Sequence, residues 1–348
     1  GNVNENININ AESVTDGGFE QKIAAADFKS VCRKIGGAVC ILGINDIAVS
    51  TLLVYIMAFF GLGKIAAIND IFSYGVMWFV NDVCVYLFPI IALSLLFRRE
   101  LKEKYSDFTY KKMSCEPLII FPAMIALGSI GSYITKFIAD IMDALFGTGE
   151  IPEALAGAKP AGDIAQSVIY IVFVCLIGPV CEEIIFRHLL LRPLRRYGDW
   201  LAIIFSAVCF GAFHGNFDQF AYAAFVGVFL ALSAVRSNSI RNSILLHVIN
   251  NLIVCLSDVL PQLKSSEVLP TFSDKIIDGM TTVISFFYTV ILWVGLAAFV
   301  VMIATGMFRL HNGFTAVSSR KKAAMVLINP LLWVGIVLIV LIFMGIRI

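Results

Sequence analysis

The sequence predicts an all-α fold, a polytopic transmembrane bundle of about nine helices with its N-terminus in the cytoplasm. Composition is the first observation: hydrophobic types make up 59% of the 348 residues and charged types only 15%. A soluble domain is nearer half apolar and about a quarter charged. The other two observations are the recurring long apolar runs and the placement of lysine and arginine. Together they exclude a water-soluble core, a disordered chain and a disulfide scaffold.

The apolar runs define the predicted helices, because about 20 apolar residues are needed to cross a bilayer. No alternating period-2 pattern typical of a membrane barrel is present, so the spans are predicted to be helical. The fifth and sixth runs are short, and predict either two steep spans or a partly re-entrant pair. The nine candidate spans lie at 35–60, 71–97, 117–146, 164–187, 200–215, 219–235, 243–260, 278–307 and 323–346.

Basic residues set the predicted orientation, since cytoplasmic segments of membrane proteins are enriched in lysine and arginine. With nine spans, one alternate set of segments holds 20 basic residues and the other holds five. Lys136, inside the third span, is the one basic residue counted in neither set. This alternation places the N-terminus in the cytoplasm and the C-terminus outside. A net charge of +1 gives no basic face for a nucleic-acid partner.

The chain divides into four predicted parts. The polar segment before the first span is expected to be a mobile, disordered tail. The eight cysteines lie mostly inside apolar runs and are expected to be packed thiols rather than disulfides or metal ligands. The parts are the tail at 1–27, three helices at 28–160, a catalytic core of helices four to seven at 161–262, and the last two helices at 263–348.

Ionisable residues inside an apolar span are costly, and therefore indicate function. The first cluster, Glu182, Glu183 and Arg187, directly follows an apolar run. Glu183 and Arg187 are four residues apart and are expected to pair on one helix face. Glu182 points about 100° away from Glu183 and is expected to meet a different neighbour. Asp46, Asp82 and Asp140 stand alone in the sequence and indicate no two-aspartate site.

Two further clusters lie on the fifth and seventh spans. Phe210 precedes His214 by four residues, and His247 precedes Asn251 by the same interval. Residues four apart lie above one another on one helix face, so each pair forms a polar or aromatic unit. A single buried histidine is ordinarily a core residue. The combination with a nearby pair of glutamates points instead to a shared site.

Three chemistries use these residue types. Glu182 could serve as a general base, because a carboxyl without a cationic partner in an apolar setting is suited to that role. Glu182, His214 and His247 also supply the ligand types of a catalytic zinc site, although the compact HExxH spacing is absent. A transporter coupling protons through the same residues would require an inverted repeat, which the sequence lacks. No Gly-x-Ser-x-Gly elbow supports a serine hydrolase.

The three motifs, in this order on three membrane helices, resemble those of the CAAX prenyl endopeptidase and bacteriocin-processing (Abi, CPBP) family of intramembrane proteases. The resemblance covers about 164–260. It implies that Glu182 and His214 activate a water, and that His247 and Asn251 stabilise the tetrahedral oxyanion, without a metal cofactor. It also implies that Glu183, Arg187 and Phe210 have supporting roles.

The resulting hypothesis is a multi-pass membrane endopeptidase that cleaves peptides or membrane-anchored proteins. The membrane would be the plasma membrane in a bacterium and the endoplasmic reticulum in a eukaryote. We expect a hydrated site in the inner half of the membrane, with His247 shallower than Glu182 in a simple helical hairpin. A zinc-dependent protease using the same residues as ligands, and a non-catalytic scaffold or immunity protein, are the alternatives.

Overall fold

The computed structural model describes residues 4–59, 71–102, 110, 115–146, 164–265, 271–313 and 317–343. This part of the chain is helical throughout and contains no strand. The predicted all-α class is therefore confirmed. The helices are α1 (Asn4–Phe59), α2 (Ile71–Leu96), α3 (Arg98–Lys102), α4 (Glu116–Phe146), α5 (Ile164–Tyr197), α6 (Asp199–Ala212), α7 (Phe217–Ser237), α8 (Ile240–Ser265), α9 (Thr271–Ala304), α10 (Ser319–Leu327) and α11 (Pro330–Phe343).

Six helices in the described ranges are long and apolar enough to cross a membrane: α2, α4, α5, α7, α8 and α9. Helices α10 and α11 meet at an angle of 62° and together would make a seventh, broken span. Helix α6 is apolar but short. The count of about nine is compatible with these helices and stays a prediction, as does the orientation of the bundle.

Helix α1 differs from the expected N-terminal tail. We expected residues 1–27 to be mobile, but α1 begins at Asn4 and runs without a break to Phe59. The segment contains no proline, so every backbone N–H in the helix interior can donate its hydrogen bond. Phe28 is buried and packs on Tyr197, and the Tyr197 hydroxyl donates to Asp27 at 2.8 Å. The helix is therefore held to the end of α5 at the boundary of the expected tail.

Small residues allow close helix packing in this bundle. A side chain at Gly295 of α9 would lie 2.1 Å from the carbonyl oxygen of Pro122 in α4. A side chain at Gly335 of α11 would lie 2.6 Å from Val39 of α1. Such contacts are typical of membrane helices, whose association depends on packing rather than on hydrophobic transfer. Helices α4, α7 and α9 thereby pack together, and α11 packs along α1.

A polar cluster joins α5 to its neighbours at the end predicted to be cytoplasmic. The Arg195 Nε atom lies 2.8 Å from Asp199, and its Nη1 atom donates to Asn238 at 2.9 Å. The Tyr110 hydroxyl donates to Asp199 and accepts the backbone N–H of His311. Burial, and then this bond to Asp199, raise the pKa of Tyr110 to about 12. The cluster holds the ends of α5, α6 and α7 in register.

Candidate active site

Helix α5 carries the two adjacent glutamates between two irregular stretches. Residues 172–177 and 184–191 are π-helical, and the short α-helical stretch Gly178–Glu183 lies between them. A π-helix closes i→i+5 hydrogen bonds and so holds more residues in each turn than an α-helix; such bulges are frequent at functional sites. Glu182 and Glu183 end the central stretch, so the backbone changes geometry next to both carboxylates.

Glu183 and Arg187 form the ion pair that their spacing predicts. Arg187 Nε lies 3.2 Å from Glu183 Oε2, and both side chains are fully buried. The guanidinium also reaches the Ser206 hydroxyl at 3.5 Å and the Gly227 carbonyl at 3.4 Å. Its carbon lies 4.8 Å from the centre of the Phe210 ring. A buried cation is thus held by one carboxylate, two oxygen acceptors and an aromatic face.

His247 lies between the two glutamates, which corrects the expectation that adjacent carboxylates take separate neighbours. Nδ1 of His247 is 3.1 Å from Glu183 Oε1, and Nε2 is 3.6 Å from Glu182 Oε2. The two nitrogens lie on different edges of the imidazole, so one ring can face two carboxylates that leave the helix in different directions. Glu183 therefore orients the ring through Nδ1, which leaves Nε2 directed at Glu182.

The depth expected for His247 is also corrected. We expected it to lie shallower than Glu182, yet it contacts both glutamates. The ends of the two helices are level, because Arg195 of α5 bonds to Asn238 in the turn before α8. More residues separate Glu183 from Arg195 than separate Asn238 from His247. The π-helical stretch absorbs part of the difference, since it fits extra residues into the same height.

Helix α2 contributes two groups that the sequence analysis missed. The Tyr86 hydroxyl donates to Glu182 Oε1 at 2.9 Å. Asp82, one turn earlier, is buried, and its charge interacts with that of Glu182. Asp82 therefore does not stand alone, contrary to the sequence interpretation. An ionisable residue inside an apolar span was the available signal for it, whereas no local pattern pointed to Tyr86.

Phe210 connects the two histidines. Its ring meets His214 edge-to-face at 5.0 Å between centroids, and meets His247 in the same way at 5.4 Å. The Phe210 carbonyl lies 2.9 Å from His214 Nδ1, so Nδ1–H donates to it and Nε2 is left as the basic nitrogen. The His214 side chain is half-buried, just beyond the end of α6. Phe210 thus packs against both imidazole rings.

Two hydrogen bonds orient the Asn251 side chain. Its amide donates to the Val174 carbonyl at 3.0 Å, and its Oδ1 accepts from Asn250 at 3.2 Å. Asn250 is held in turn by the Tyr222 hydroxyl at 2.8 Å. A primary amide has two N–H donors, so one remains beyond the bond to Val174. The side chain is oriented and retains a donor.

The predicted residues do not all touch. Glu182, Glu183, Arg187, Phe210 and His247 form one connected cluster, and His214 joins it through Phe210. Within the described ranges, no hydrogen bond or ion pair links His214 directly to Glu182. Among the same residues, no group of three histidine, cysteine, aspartate or glutamate side chains is placed to hold a metal ion. The zinc alternative stays a prediction.

Comparison with known proteins identifies the region that carries these motifs. The family model described as type II CAAX prenyl endopeptidase Rce1-like matches residues 164–253. This stretch is similar to that family, and we call residues 164–253 the Rce1-like domain. The Rce1-like domain contains all seven predicted site residues and spans α5 to α8. No curated protein and no solved structure matches the chain.

The Rce1-like domain and the apolar helices together establish the coarse class. The family is one of proteases, which supports peptide hydrolysis in general. Six candidate spans in the described chain make this an integral, multi-pass membrane protein. Helix α2, which supplies Asp82 and Tyr86, lies outside the matched segment. The site therefore extends beyond the Rce1-like domain.

Proposed function

We propose that this protein is an intramembrane endopeptidase that hydrolyses peptide bonds with a water activated by Glu182 and His214. The buried cluster in which His247 joins Glu182 to the Glu183–Arg187 pair carries the proposal. Burying so many ionisable groups in apolar helices costs free energy. A structural role would need only the Glu183–Arg187 pair. Glu182 is 14% exposed, and among the residues that the structure describes its one potential cationic contact is a protonated His247.

The proposed steps use the groups as the structure orients them. Glu182 accepts a proton from the attacking water, and the basic Nε2 of His214 holds that water or accepts the same proton. Oxygen then adds to the scissile carbonyl, and the negative charge that develops is stabilised by the remaining N–H of Asn251 and by His247 in its protonated form, in which Nε2 carries a proton as well as Nδ1. The proton passes to the leaving amine as the carbon–nitrogen bond breaks. Donors fixed in advance within a low-dielectric site stabilise an oxyanion strongly.

The first substrate class to test follows from the matched family, whose described activity is on prenylated CAAX proteins. A peptide with a prenylated cysteine near its C-terminus would be cleaved in the membrane. Unprenylated peptides and membrane-anchored protein segments form the comparison set. If only the comparison set is cleaved, the substrate is of the kind that the bacteriocin-processing members of the family would take.

The test uses the full chain, purified in detergent and returned to lipid. Glu182→Gln should lower cleavage by roughly 10²–10⁴-fold, because a general base contributes that much. Glu100→Gln is the matched control, since Glu100 is also buried and bonds to Lys34 at 2.7 Å away from the site. Retained cleavage in Glu182→Gln protein would refute the assignment. If the purified parent shows no cleavage, and Glu182→Gln leaves the role of the protein in the cell unchanged, a scaffold is favoured.

A metal analysis of the same preparation separates the zinc alternative. Under the proposal, cleavage persists after treatment with a strong chelator. Stoichiometric zinc that is lost together with activity would overturn a mechanism without a metal. Adding zinc back and recovering cleavage would complete that case. The test needs no change to the sequence and can precede mutagenesis.

A further inference from the structure

We propose that Tyr86 of α2 is a positioning residue that fixes the Glu182 carboxylate for its reaction. This inference rests on the proposed function and adds a helix outside the Rce1-like domain to the machinery. The Tyr86 hydroxyl is 2.9 Å from Glu182 Oε1, which is a hydrogen bond of ordinary length. Among the described residues, no other hydroxyl or amide side chain donates to the Glu182 carboxylate.

The two oxygens of Glu182 face different partners. Oε1 accepts from Tyr86, and Oε2 lies toward His247 Nε2. The hydrogen bond at Oε1 and the contact at Oε2 together restrict rotation of the carboxylate about its terminal bond, so the plane of its lone pairs is set. Tyr86 donates from α2 and His247 lies on α8, so the orientation of Glu182 on α5 depends on how these three helices are placed. Without Tyr86, only one of these constraints remains.

Tyr86 is itself held in place by packing. Its ring lies 6.2 Å from that of Phe213, the residue before His214. A side chain added at Gly178 of α5 would lie 3.2 Å from the Tyr86 hydroxyl, so the absence of one leaves room for the oxygen. Asn45 of α1 donates to the carbonyl of Val85, which anchors this turn of α2. The hydroxyl is thus presented by a rigid element, as a positioning group requires.

The Tyr86 proton is directed at Glu182 and not at Asp82. It lies one turn before Tyr86, and one of its oxygens accepts from Asn81 at 3.2 Å. The other oxygen is buried and makes no hydrogen bond among the described residues. A tyrosine hydroxyl has a single proton to donate, and in this structure it goes to Glu182. Tyr86 therefore acts on Glu182 and leaves the second Asp82 oxygen without a partner.

The experiment is Tyr86→Phe in the full chain, assayed in lipid with whichever peptide the parent cleaves. Removing the hydroxyl keeps the ring and its packing, so thermal unfolding should stay close to that of the parent. The value of kcat should fall on the order of 10–100-fold, as misplacement of a reacting group does. KM should change by less than about twofold, because Tyr86 does not bind substrate.

Tyr110→Phe is the matched control. It removes a tyrosine hydroxyl that is also bonded to a buried carboxylate, that of Asp199, but in the structural cluster at the end of α5. It should leave kcat near the parental value whatever it does to stability. An equal loss of kcat in both variants would show a general packing effect and overturn the proposal. Parental kcat and KM in Tyr86→Phe would overturn it as well.

A spectroscopic measurement keeps the inference testable without turnover. The infrared difference between the parent and Glu182→Gln isolates the carboxylate band of Glu182. Tyr86→Phe should shift this band, and Tyr110→Phe should leave it in place. An unshifted band overturns the inference even if cleavage is lost. Conversely, a chain with no peptidase activity but a shifted band keeps the Tyr86–Glu182 contact while the proposed function fails.

Discussion

Glu183 Oε1 lies 3.1 Å from His247 Nδ1, while the other oxygen of the same carboxylate faces the Arg187 guanidinium at 3.2 Å. One fully buried carboxylate therefore balances a permanent cation and orients an imidazole. Glu182, the adjacent residue, is left to contact Nε2 of that imidazole and the Tyr86 hydroxyl. The two glutamates divide the work, with one supporting the site and the other available to react.

Replacement of Glu183 by Gln should destabilise the protein far more than the same change at Glu182. It leaves the Arg187 charge buried without its counter-charge, which costs about 3–5 kcal/mol. Thermal unfolding in detergent measures the loss. Adding Arg187→Met to Glu183→Gln should recover much of the stability, because the unpaired cation is then gone. Parental stability in Glu183→Gln alone would contradict this account of the pair.

His247→Gln should lower kcat by about 10²–10³-fold, the range seen when one oxyanion donor is removed. KM should change little, because the interaction strengthens only as the negative charge develops. Steady-state kinetics with the parental substrate provide the measurement. His188→Gln is the control, since His188 is half-buried on α5 next to Arg187 but has no part in the proposed chemistry. A matching loss in His188→Gln would argue against a special role for His247.

Gly211→Ala should destabilise the contact between α6 and α7 by about 1–3 kcal/mol, the range for overpacking. The added carbon would lie 2.6 Å from the Phe220 carbonyl oxygen and 2.9 Å from Ala224. Because His214 follows three residues later, cleavage should fall as well.

The control for this change is Gly279→Ala in α9, where nothing lies within 4 Å of the added carbon. An exposed helix position is more stable with alanine than with glycine, so the free energy of unfolding of this variant should rise by up to about 1 kcal/mol. Unfolding temperatures of the two variants should therefore move in opposite directions. A shared direction would mean that the close approach at Gly211 does not limit packing.

Alkaline conditions should weaken the Tyr110 cluster. Burial and the bond to Asp199 raise the Tyr110 pKa from 10.0 to about 12, so the folded state retains a proton that the unfolded chain loses. Stability from this group is present below pH 10 and is lost between pH 10 and 12. Unfolding of the parent and Tyr110→Phe across this range gives the comparison. The difference in stability between them should shrink as the pH rises.

The sequence predicts the helical class and most of the site because both depend on local spacing. The Glu183–Arg187 pair follows from a four-residue interval, and the support that Phe210 gives to His214 follows from the same interval on α6. Contacts between distant helices have no such periodic signal. Hence Tyr86 and the sharing of His247 by two glutamates could not be predicted, although the charge of Asp82 within an apolar run was visible.

The depth of His247 shows a second limit. An estimate made by counting residues assumes a uniform rise along each helix, and the π-helical stretch at 184–191 breaks that assumption. Composition has a related limit, since a polar composition does not itself interrupt a helix, and α1 begins at Asn4 inside the expected tail. The number of spans and their orientation depend on the bilayer and remain predictions.

In the π-helical stretch after Glu183, the number of residues matters more than their identity. A π-bulge is equivalent to one extra residue inside an α-helix. Deleting a single residue from 184–191 would restore regular α-helical bonding and would look harmless by hydrophobicity alone. It would nevertheless turn everything before it by about 100° relative to Arg195 and the end of α5. Both glutamates would then face the wrong neighbours, so this part of the helix should accept conservative replacements but not deletions.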